Sequence, residues 1–197
     1  KGKIIGTGGS TENVAVKAVV KHFGLDPEKD ITILAIGPGM KIPGIIAGSV
    51  DAVNCTIDEK IILKKKGFTD LFRISDIVGA LTYGLGTTEK FIKEKRDHVR
   101  RMVKATLKGL IYTKENKAPV VEFVIKEWGY DKETANEGYD EHIVYFTRDG
   151  TVDEETIKYL VEDGKLLGYK MNPLIPPSQT IDFSFIKEVK QELGLTS

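Results

Sequence analysis

The sequence predicts an α/β fold in which a parallel-sheet lobe is followed by a helix-rich part. In the first third of the chain, short runs of β-branched residues alternate with stretches of helical spacing, as a parallel βαβ sheet requires. From Thr87 onward the pattern changes to successive helices with apolar residues three to four positions apart. Gly, Pro, Asn or Asp signals separate one predicted helix from the next.

Three strands and three helices are expected in the parallel-sheet lobe that residues 1–76 form. The strands are predicted around Ile4-Ile5, over 30–36 and over 51–53. The helices are predicted over 13–23, 42–47 and 56–66. Gly24 and Gly67 each follow a predicted helix and end it. Thr56 and Glu59 have the spacing of a capping box, which indicates that the third helix opens there.

The remainder of the chain is predicted to hold one more strand, over 77–85, and six helices. The helices are expected over 90–95, 97–113, 118–128, 132–145, 153–167 and 183–193. A single strand is too small a sheet surface for six helices to pack against. They therefore form a helical subdomain or pack on a sheet that other residues complete.

Composition excludes several classes of protein. The chain has 197 residues with 29 basic and 29 acidic side chains, so no global field recruits nucleic acid or an anionic membrane. A single cysteine excludes an intrachain disulfide and a four-cysteine zinc site. No run approaches the ~20 apolar residues that span a bilayer, and the first residues lack the apolar core of a signal peptide.

The strongest local feature is the segment Gly6-Thr7-Gly8-Gly9-Ser10-Thr11, between a predicted strand and a predicted helix. Glycines let a ligand approach the backbone, and the N–H groups at a helix start favour an anion. The segment is not a P-loop, because no Gly-Lys-Ser/Thr follows, and Thr11 replaces the third glycine of the dinucleotide fingerprint. The alternative is that Ser10 or Thr11 simply caps the helix.

Two further turns have the same position between a strand and a helix. They are Gly37-Pro38-Gly39-Met40 and Asn54-Cys55-Thr56. In open α/β sheets ligands lie outside the carboxyl ends of the strands, which would gather all three turns around one crevice. The structural alternative is that each segment is a routine βα turn.

No catalytic or metal-ligating constellation is predicted. The three histidines, His22, His98 and His142, fall on separate predicted helices without a ligand spacing. Cys55 has no histidine near it in sequence and is expected to behave as a small buried hydrophobe. The basic stretch 93–104 is interrupted by acids and lacks aromatic residues, which indicates a solvated helix face and no nucleic-acid partner. The chain is therefore expected to be no enzyme and to need no cofactor.

Taken in order, several segments resemble solute-binding proteins of ABC importers for sulfonates, taurine, nitrate and thiamine-pyrimidine precursors. In residues 1–76 they are KGKIIG (1–6), Gly9-Ser10-Thr11, IAGSVDAV (46–53) and Lys66-Gly67-Phe68. Downstream they are FIKE (91–94), HVRR (98–101), Lys108-Gly109, Glu115-Asn116-Lys117 and IDFSFIK (181–187). The resemblance covers nearly the whole chain.

This resemblance implies a type 2 periplasmic-binding-protein fold of two α/β lobes that close over a ligand. Residues 1–76 would form the second lobe, and 77–197 the C-terminal, mostly helical part of the first. Family members normally carry most of the first lobe before the Lys-Gly-Lys segment, and this sequence lacks it. The ligand-binding residues implied for the second-lobe wall are Gly9, Ser10, Thr11, Gly39, Met40 and Thr56.

The function implied is capture, without turnover, of a small polar or anionic molecule such as a sulfonate, nitrate, a carboxylate or a pyrimidine. The partner implied is a membrane permease, and the location is extracytoplasmic, in the periplasm or as a membrane-anchored lipoprotein. Two alternatives stay open. One is an enzyme on the same fold, such as a pyrimidine-precursor synthase or a sulfinate desulfinase, and the other is a stand-alone ligand-sensing domain.

Overall fold

The computed structural model describes residues 1–77, 84–147, 149–153, 156–157, 179 and 181–195. These residues fall into two compact units. Residues 1–77 belong to the first unit, and the described residues from 84 onward belong to the second.

The first unit contains a parallel sheet with the strand order β2-β1-β3. The strands are β1 Lys3–Thr7, β2 Ile31–Ala35 and β3 Ala52–Val53. The predicted alternation of strands and helices is thus confirmed in this unit. β1 is the central strand and pairs with β2 along its whole length, from Lys3 opposite Ile31 to Thr7 opposite Ala35.

Backbone hydrogen bonds continue past the carboxyl ends of the strands. The Ile36 N–H donates to the Thr7 carbonyl at 3.0 Å, and the Asn54 N–H donates to the Gly6 carbonyl at 3.0 Å. Because both bonds end on β1, the segments that leave β2 and β3 begin at fixed positions beside the central strand. This edge of the sheet is the carboxyl edge.

Each strand of this unit is followed by a helix. The helices are α1 Ser10–His22, α2 Lys41–Ile46 and α3 Ile57–Lys65, with short 3-10 helices at Pro38–Met40 and Ile74–Asp76. The apolar side chains buried in the unit are Val16, Val19, Val20, Val50, Ile61 and Leu63. The capping box predicted for α3 is confirmed, since the Thr56 N–H donates to Glu59 Oε2 at 2.9 Å.

Helix α1 differs from its prediction in two ways. It begins at Ser10, three residues before the predicted start at position 13, because Gly9 is its N-cap. It also ends at His22, one residue before the predicted end at position 23, and His22 is exposed while Val16 and Val20 are buried. A histidine in the last turn of a helix interacts favourably with the negative end of the helix dipole and can stay in solvent.

The second unit is helical in its described part. Its helices are α4 Glu89–Glu94, α5 Arg96–Glu115, α6 Lys117–Trp128, α7 Lys132–Ile143 and α8 Ser184–Glu192. These five confirm predicted helices, with ends that differ by one or two residues. Helices α5 and α8 pack around buried Leu107, Ile186 and Val189, and ion pairs such as Arg96–Glu188 at 2.9 Å flank that core.

Some expectations lie outside the described residues. They concern residues 78–83 of the strand predicted over 77–85 and most of the helix predicted over 153–167. The division at residue 76 stays a prediction, because residues 78–83 at that boundary are among those not described. In the ranges that the structure does describe, no helix combines the length and the apolar character needed to cross a membrane.

Candidate functional site

The candidate site is built by three turns at the carboxyl edge of the sheet. The first turn is residues 8–11, the second is 37–40 and the third is 54–56, and they connect β1 to α1, β2 to α2 and β3 to α3. Because the strands are parallel, all three turns meet at one edge, as the sequence predicted.

Gly9 gives the first turn its shape. It is the N-cap of α1, with φ 154° and ψ −161°, a region of backbone space open essentially to glycine alone. A Cβ built on Gly9 meets nothing within 4 Å. The backbone of the first turn therefore borders open space, and the first N–H groups of α1 have no partner within the helix.

The other predicted ligand residues lie on the same edge. Ser10 and Thr11 are the first two residues of α1, so Gly9, not a hydroxyl residue, is the cap. Gly39 and Met40 lie in the 3-10 helix of the second turn, and both are exposed. Thr56 is exposed at the start of α3. A ligand-binding role for these six residues stays a prediction.

Beneath the turns lies a charged side chain that the sequence analysis missed. Lys41 is the first residue of α2, and its side chain is only 2% exposed. The ammonium Nζ lies 3.1 Å from Glu12 Oε1 and 2.8 Å from Glu59 Oε2. Lys41 thus forms a buried ion cluster with one carboxylate from α1 and one from α3.

The two carboxylates also bind backbone groups. Glu12 Oε2 accepts from the Gly8 N–H at 2.7 Å, and Glu59 accepts from the Thr56 N–H. Each carboxylate therefore lies at the positive end of a helix, where negative charge is stabilised. The Gly8 N–H is already bound, which leaves the N–H groups from Gly9 onward as the donors of the predicted anion cradle.

Burial alone would lower the pKa of Lys41, because the protein interior disfavours a charged ammonium. Hydrogen bonds to Glu59 and Glu12 outweigh burial, and the pKa of Lys41 is raised. Lys41 is therefore an ammonium at neutral pH and cannot act there as a nucleophile or a base. Two carboxylates against one ammonium leave the cluster with a formal charge of −1.

One signal in the sequence did point to this cluster. A lysine at the first position of a helix is placed where the helix dipole disfavours positive charge. Such a residue needs a nearby anion, and Glu12 and Glu59 each lie in the first turn of their own helix. Their meeting at Lys41 depends on the strand order, which the periodicity of the sequence does not reveal.

The surroundings of Cys55 and of His142 can each be described within their own unit. Burial, together with the nearby charge of Glu59, raises the pKa of the partly buried Cys55 thiol, so it is protonated at neutral pH. His142 Nδ1 lies 2.7 Å from the Gly138 carbonyl oxygen within its own helix. No cluster of three or more His, Cys, Asp or Glu side chains suited to a metal ion occurs among the described residues.

A shallow depression lies on another face of the first unit, between α1 and β2. It has a volume of about 370 Å³ and is lined by Asn13, Lys17, Pro27, Glu28 and residues 31–33. Lys17 and Glu28 in its wall form an ion pair at 2.6 Å. The charged groups of this depression therefore satisfy each other.

Comparison with known proteins places the chain in a family. The family model described as NMT1/THI5 like matches residues 1–118. No curated protein gives a significant match to the sequence.

Two solved structures establish the fold. A protein from Bordetella bronchiseptica RB50 superposes with a TM-score of 0.77 at 14% identity, over 98% of this chain and 65% of the other. A protein from Methylobacillus flagellatus KT, described as the periplasmic sulfonate-binding protein SsuA of a sulfonate ABC transporter, superposes with a TM-score of 0.70 at 18% identity. That alignment covers 100% of this chain and 62% of the other. The predicted periplasmic-binding-protein fold is confirmed, and the chain spans less than two thirds of the length of either protein.

Proposed function

The chain belongs to the NMT1/THI5-like family, and from that premise we propose that it is the solute-binding component of an ABC importer. It captures a small polar or anionic molecule at the carboxyl edge of its parallel sheet and releases it unchanged to a membrane permease. The fold shared with a described sulfonate-binding protein supports this function. On the same grounds, the protein acts outside the cytoplasm.

The observation that carries the proposal is the first turn. Gly9 has a backbone conformation that other residues rarely adopt, and open space lies beside it. Unusual backbone conformations of this kind concentrate at ligand clamps and other functional sites. The N–H groups of Gly9, Ser10 and Thr11 then present donors and a partial positive charge to an anionic or strongly polar ligand group.

The other two turns complete the wall in this proposal. Gly39 has no side chain between its backbone and solvent, and the exposed Met40 offers an adaptable apolar contact. Thr56 contributes a hydroxyl group beside the start of α3. Sulfonate, nitrate, carboxylate and pyrimidine groups all match this combination of hydrogen-bond donors and a small apolar surface.

A thermal-shift screen with methanesulfonate, nitrate, acetate and cytosine tests the proposal on the full chain. A true ligand at one hundred times its dissociation constant stabilises the folded state by about 2.7 kcal/mol. For a chain of this size that corresponds to a rise in Tm of roughly 5–10 °C. Absence of any concentration-dependent rise, in a screen widened to other sulfonates and pyrimidines, would count against the function.

Two variants connect binding to the first turn. Ser10→Ala combined with Thr11→Ala keeps the backbone N–H groups but removes two hydroxyl donors, so it should weaken the ligand-induced shift while the circular dichroism spectrum is retained. Thr32→Ala is the matched control, because it removes an exposed hydroxyl from β2, away from the carboxyl edge. Equal loss of binding in the control variant would contradict the assignment.

The same ligand separates capture from catalysis. Mass spectrometry of the ligand after prolonged incubation with the protein should recover it unchanged in stoichiometric amount. A new product that accumulates with time would favour the same-fold enzyme. Cells that lack the gene should lose uptake of the radiolabelled ligand, whereas a stand-alone sensor would leave uptake intact.

A further inference from the structure

The buried ammonium of Lys41 is the feature of the first unit that the proposed function leaves unexplained. Its side chain is almost completely buried, at the start of α2, where the helix dipole disfavours a cation. Buried ion pairs of this kind are commonly no more stable than well-packed apolar residues of similar volume. Stability alone is therefore a weak reason for a lysine at this position.

The hydrogen bonds around Lys41 form a continuous connection across the carboxyl edge. On one side the connection runs from Lys41 through Glu12 to the Gly8 N–H, and on the other it runs through Glu59 to the Thr56 N–H. Lys41 itself directly follows the second turn. Its side chain therefore joins the first, second and third turns.

Three other bonds at this edge each act on a single turn. The Thr7 hydroxyl hydrogen-bonds to Asn13 and fixes the start of α1 to the end of β1. The bonds from Ile36 and Asn54 attach the second and third turns separately to β1. Lys41, by contrast, connects all three turns to one another through one side chain.

We propose that Lys41 is a positioning residue for the ligand-binding turns, which it holds in their binding arrangement before any ligand arrives. This inference rests on the proposed function, and it assigns Lys41 no contact with the ligand. Groups that are ordered before binding do not have to be ordered at the moment of binding, so affinity rises without a new contact. The buried ion cluster would thereby contribute to affinity from beneath the site.

The test compares Lys41→Met with Asp51→Asn and the unaltered chain. Methionine keeps the length and approximate volume of the lysine stem but removes the ammonium. Asp51 is the matched control, because its carboxylate accepts from the Ile4 N–H and pairs with Lys3, both at the opposite edge of the same sheet. Titration calorimetry with methanesulfonate gives the dissociation constant, and amide hydrogen exchange reports the three turns in the absence of ligand.

We expect Lys41→Met to bind methanesulfonate about tenfold more weakly. Amides in all three turns of this variant should exchange faster, while Asp51→Asn should leave both the binding and the turns unchanged. An unaltered dissociation constant for a folded Lys41→Met would overturn the positioning role and leave the proposed function standing. Faster exchange confined to the second turn would overturn it as well.

The design separates failure of this inference from failure of the proposed function. If the unaltered chain binds none of the screened ligands, the proposed function fails, and exchange in the ligand-free chain still decides whether Lys41 joins the turns. If Lys41→Met does not fold, Glu12→Gln and Glu59→Gln each weaken one link. Exchange should then rise in the first turn for Glu12→Gln and in the third for Glu59→Gln, and no change in either variant would overturn the inference.

Discussion

The ammonium of Lys41 lies 2.8 Å from the carboxylate of Glu59, although the two residues lie in the first turns of helices that follow different strands. Together with Glu12 at 3.1 Å, this pair places a buried cation among three helix starts. The arrangement has consequences for stability, for its dependence on pH and for the chemistry of the neighbouring thiol.

Removal of the Lys41 ammonium should destabilise the folded chain. Lys41→Met leaves two partly buried carboxylates without their cation, which should lower the free energy of unfolding by about 2 kcal/mol at pH 7. Urea denaturation followed by circular dichroism measures the change. The triple variant that adds Glu12→Gln and Glu59→Gln to Lys41→Met should regain part of the lost stability. If Lys41→Met alone lowers the free energy of unfolding by less than about 1 kcal/mol, the ammonium does not stabilise the two carboxylates as proposed.

Alkaline pH should remove the same stabilisation from the unaltered chain. The folded-state pKa of Lys41 is raised above its ordinary value, so its contribution is fully present below the pKa of the unfolded chain. It is lost as pH rises through the folded-state pKa. Urea denaturation of the unaltered chain and of Lys41→Met from pH 8 to above pH 11 should show the difference between them shrinking at the alkaline end.

Acid pH should act on the second unit through Asp149. Hydrogen bonds from Lys190 and Thr151 lower the pKa of Asp149 to about 2. Because the folded-state pKa is depressed, the stabilisation is present above the unfolded pKa and is lost as pH falls from about 4 to about 2.

The partial exposure of the Asp149–Lys190 pair reduces the expected contribution to about 1 kcal/mol at pH 7. Asp149→Asn should therefore be less stable than the unaltered chain at neutral pH and equally stable near pH 2. Denaturation curves across this pH range measure the effect. A constant difference down to pH 2 would show that the charge of Asp149 is not its cause.

The Cys55 thiol should react slowly with labelling reagents in the folded chain. Burial and the charge of Glu59 raise its pKa, and the thiolate is the reactive form. Labelling with Ellman's reagent at pH 7.5 should accelerate more than about tenfold when guanidinium unfolds the chain. The sequence contains this single cysteine, so the signal has one source, and equal rates in both states would place the thiol at the surface.

The packing around Gly6 leaves no space for a methyl group. A Cβ at this position would lie 2.9 Å from Ile36 Cδ1 and 3.2 Å from Val53 Cγ1. Gly6→Ala should therefore cost about 1–3 kcal/mol through overpacking, measured by urea denaturation. Gly109→Ala is the control, because open space surrounds that position in α5 and alanine should stabilise the helix by about 1 kcal/mol.

Local patterns in the sequence were sufficient to predict the strands and helices of the described residues. The turn signals predicted which segments approach the carboxyl edge, and Thr56 with Glu59 predicted the start of α3. The start of α1 was misplaced because Gly9 caps it without a side chain. Propensity rules expect a serine or threonine cap, and they overlooked a glycine in an unusual conformation.

The ion cluster could not be predicted in the same way. Glu12, Lys41 and Glu59 are far apart in sequence, and a lysine at a helix start indicates that an anion is needed nearby but not which residue supplies it. Their contact arises because β1 lies between β2 and β3, an order set by long-range packing. Hydrophobic periodicity reports which face of an element is buried, but it does not report which elements become neighbours.

The ion cluster also limits how this part of the molecule can change during evolution. A mutation of Lys41 alone leaves two carboxylates without their cation, and a mutation of both Glu12 and Glu59 leaves the buried ammonium without an anion, whereas coordinated replacement of all three by neutral residues removes the conflict. We therefore expect these three positions to co-vary among homologues. A relative with an apolar residue in place of Lys41 should have lost both acidic partners.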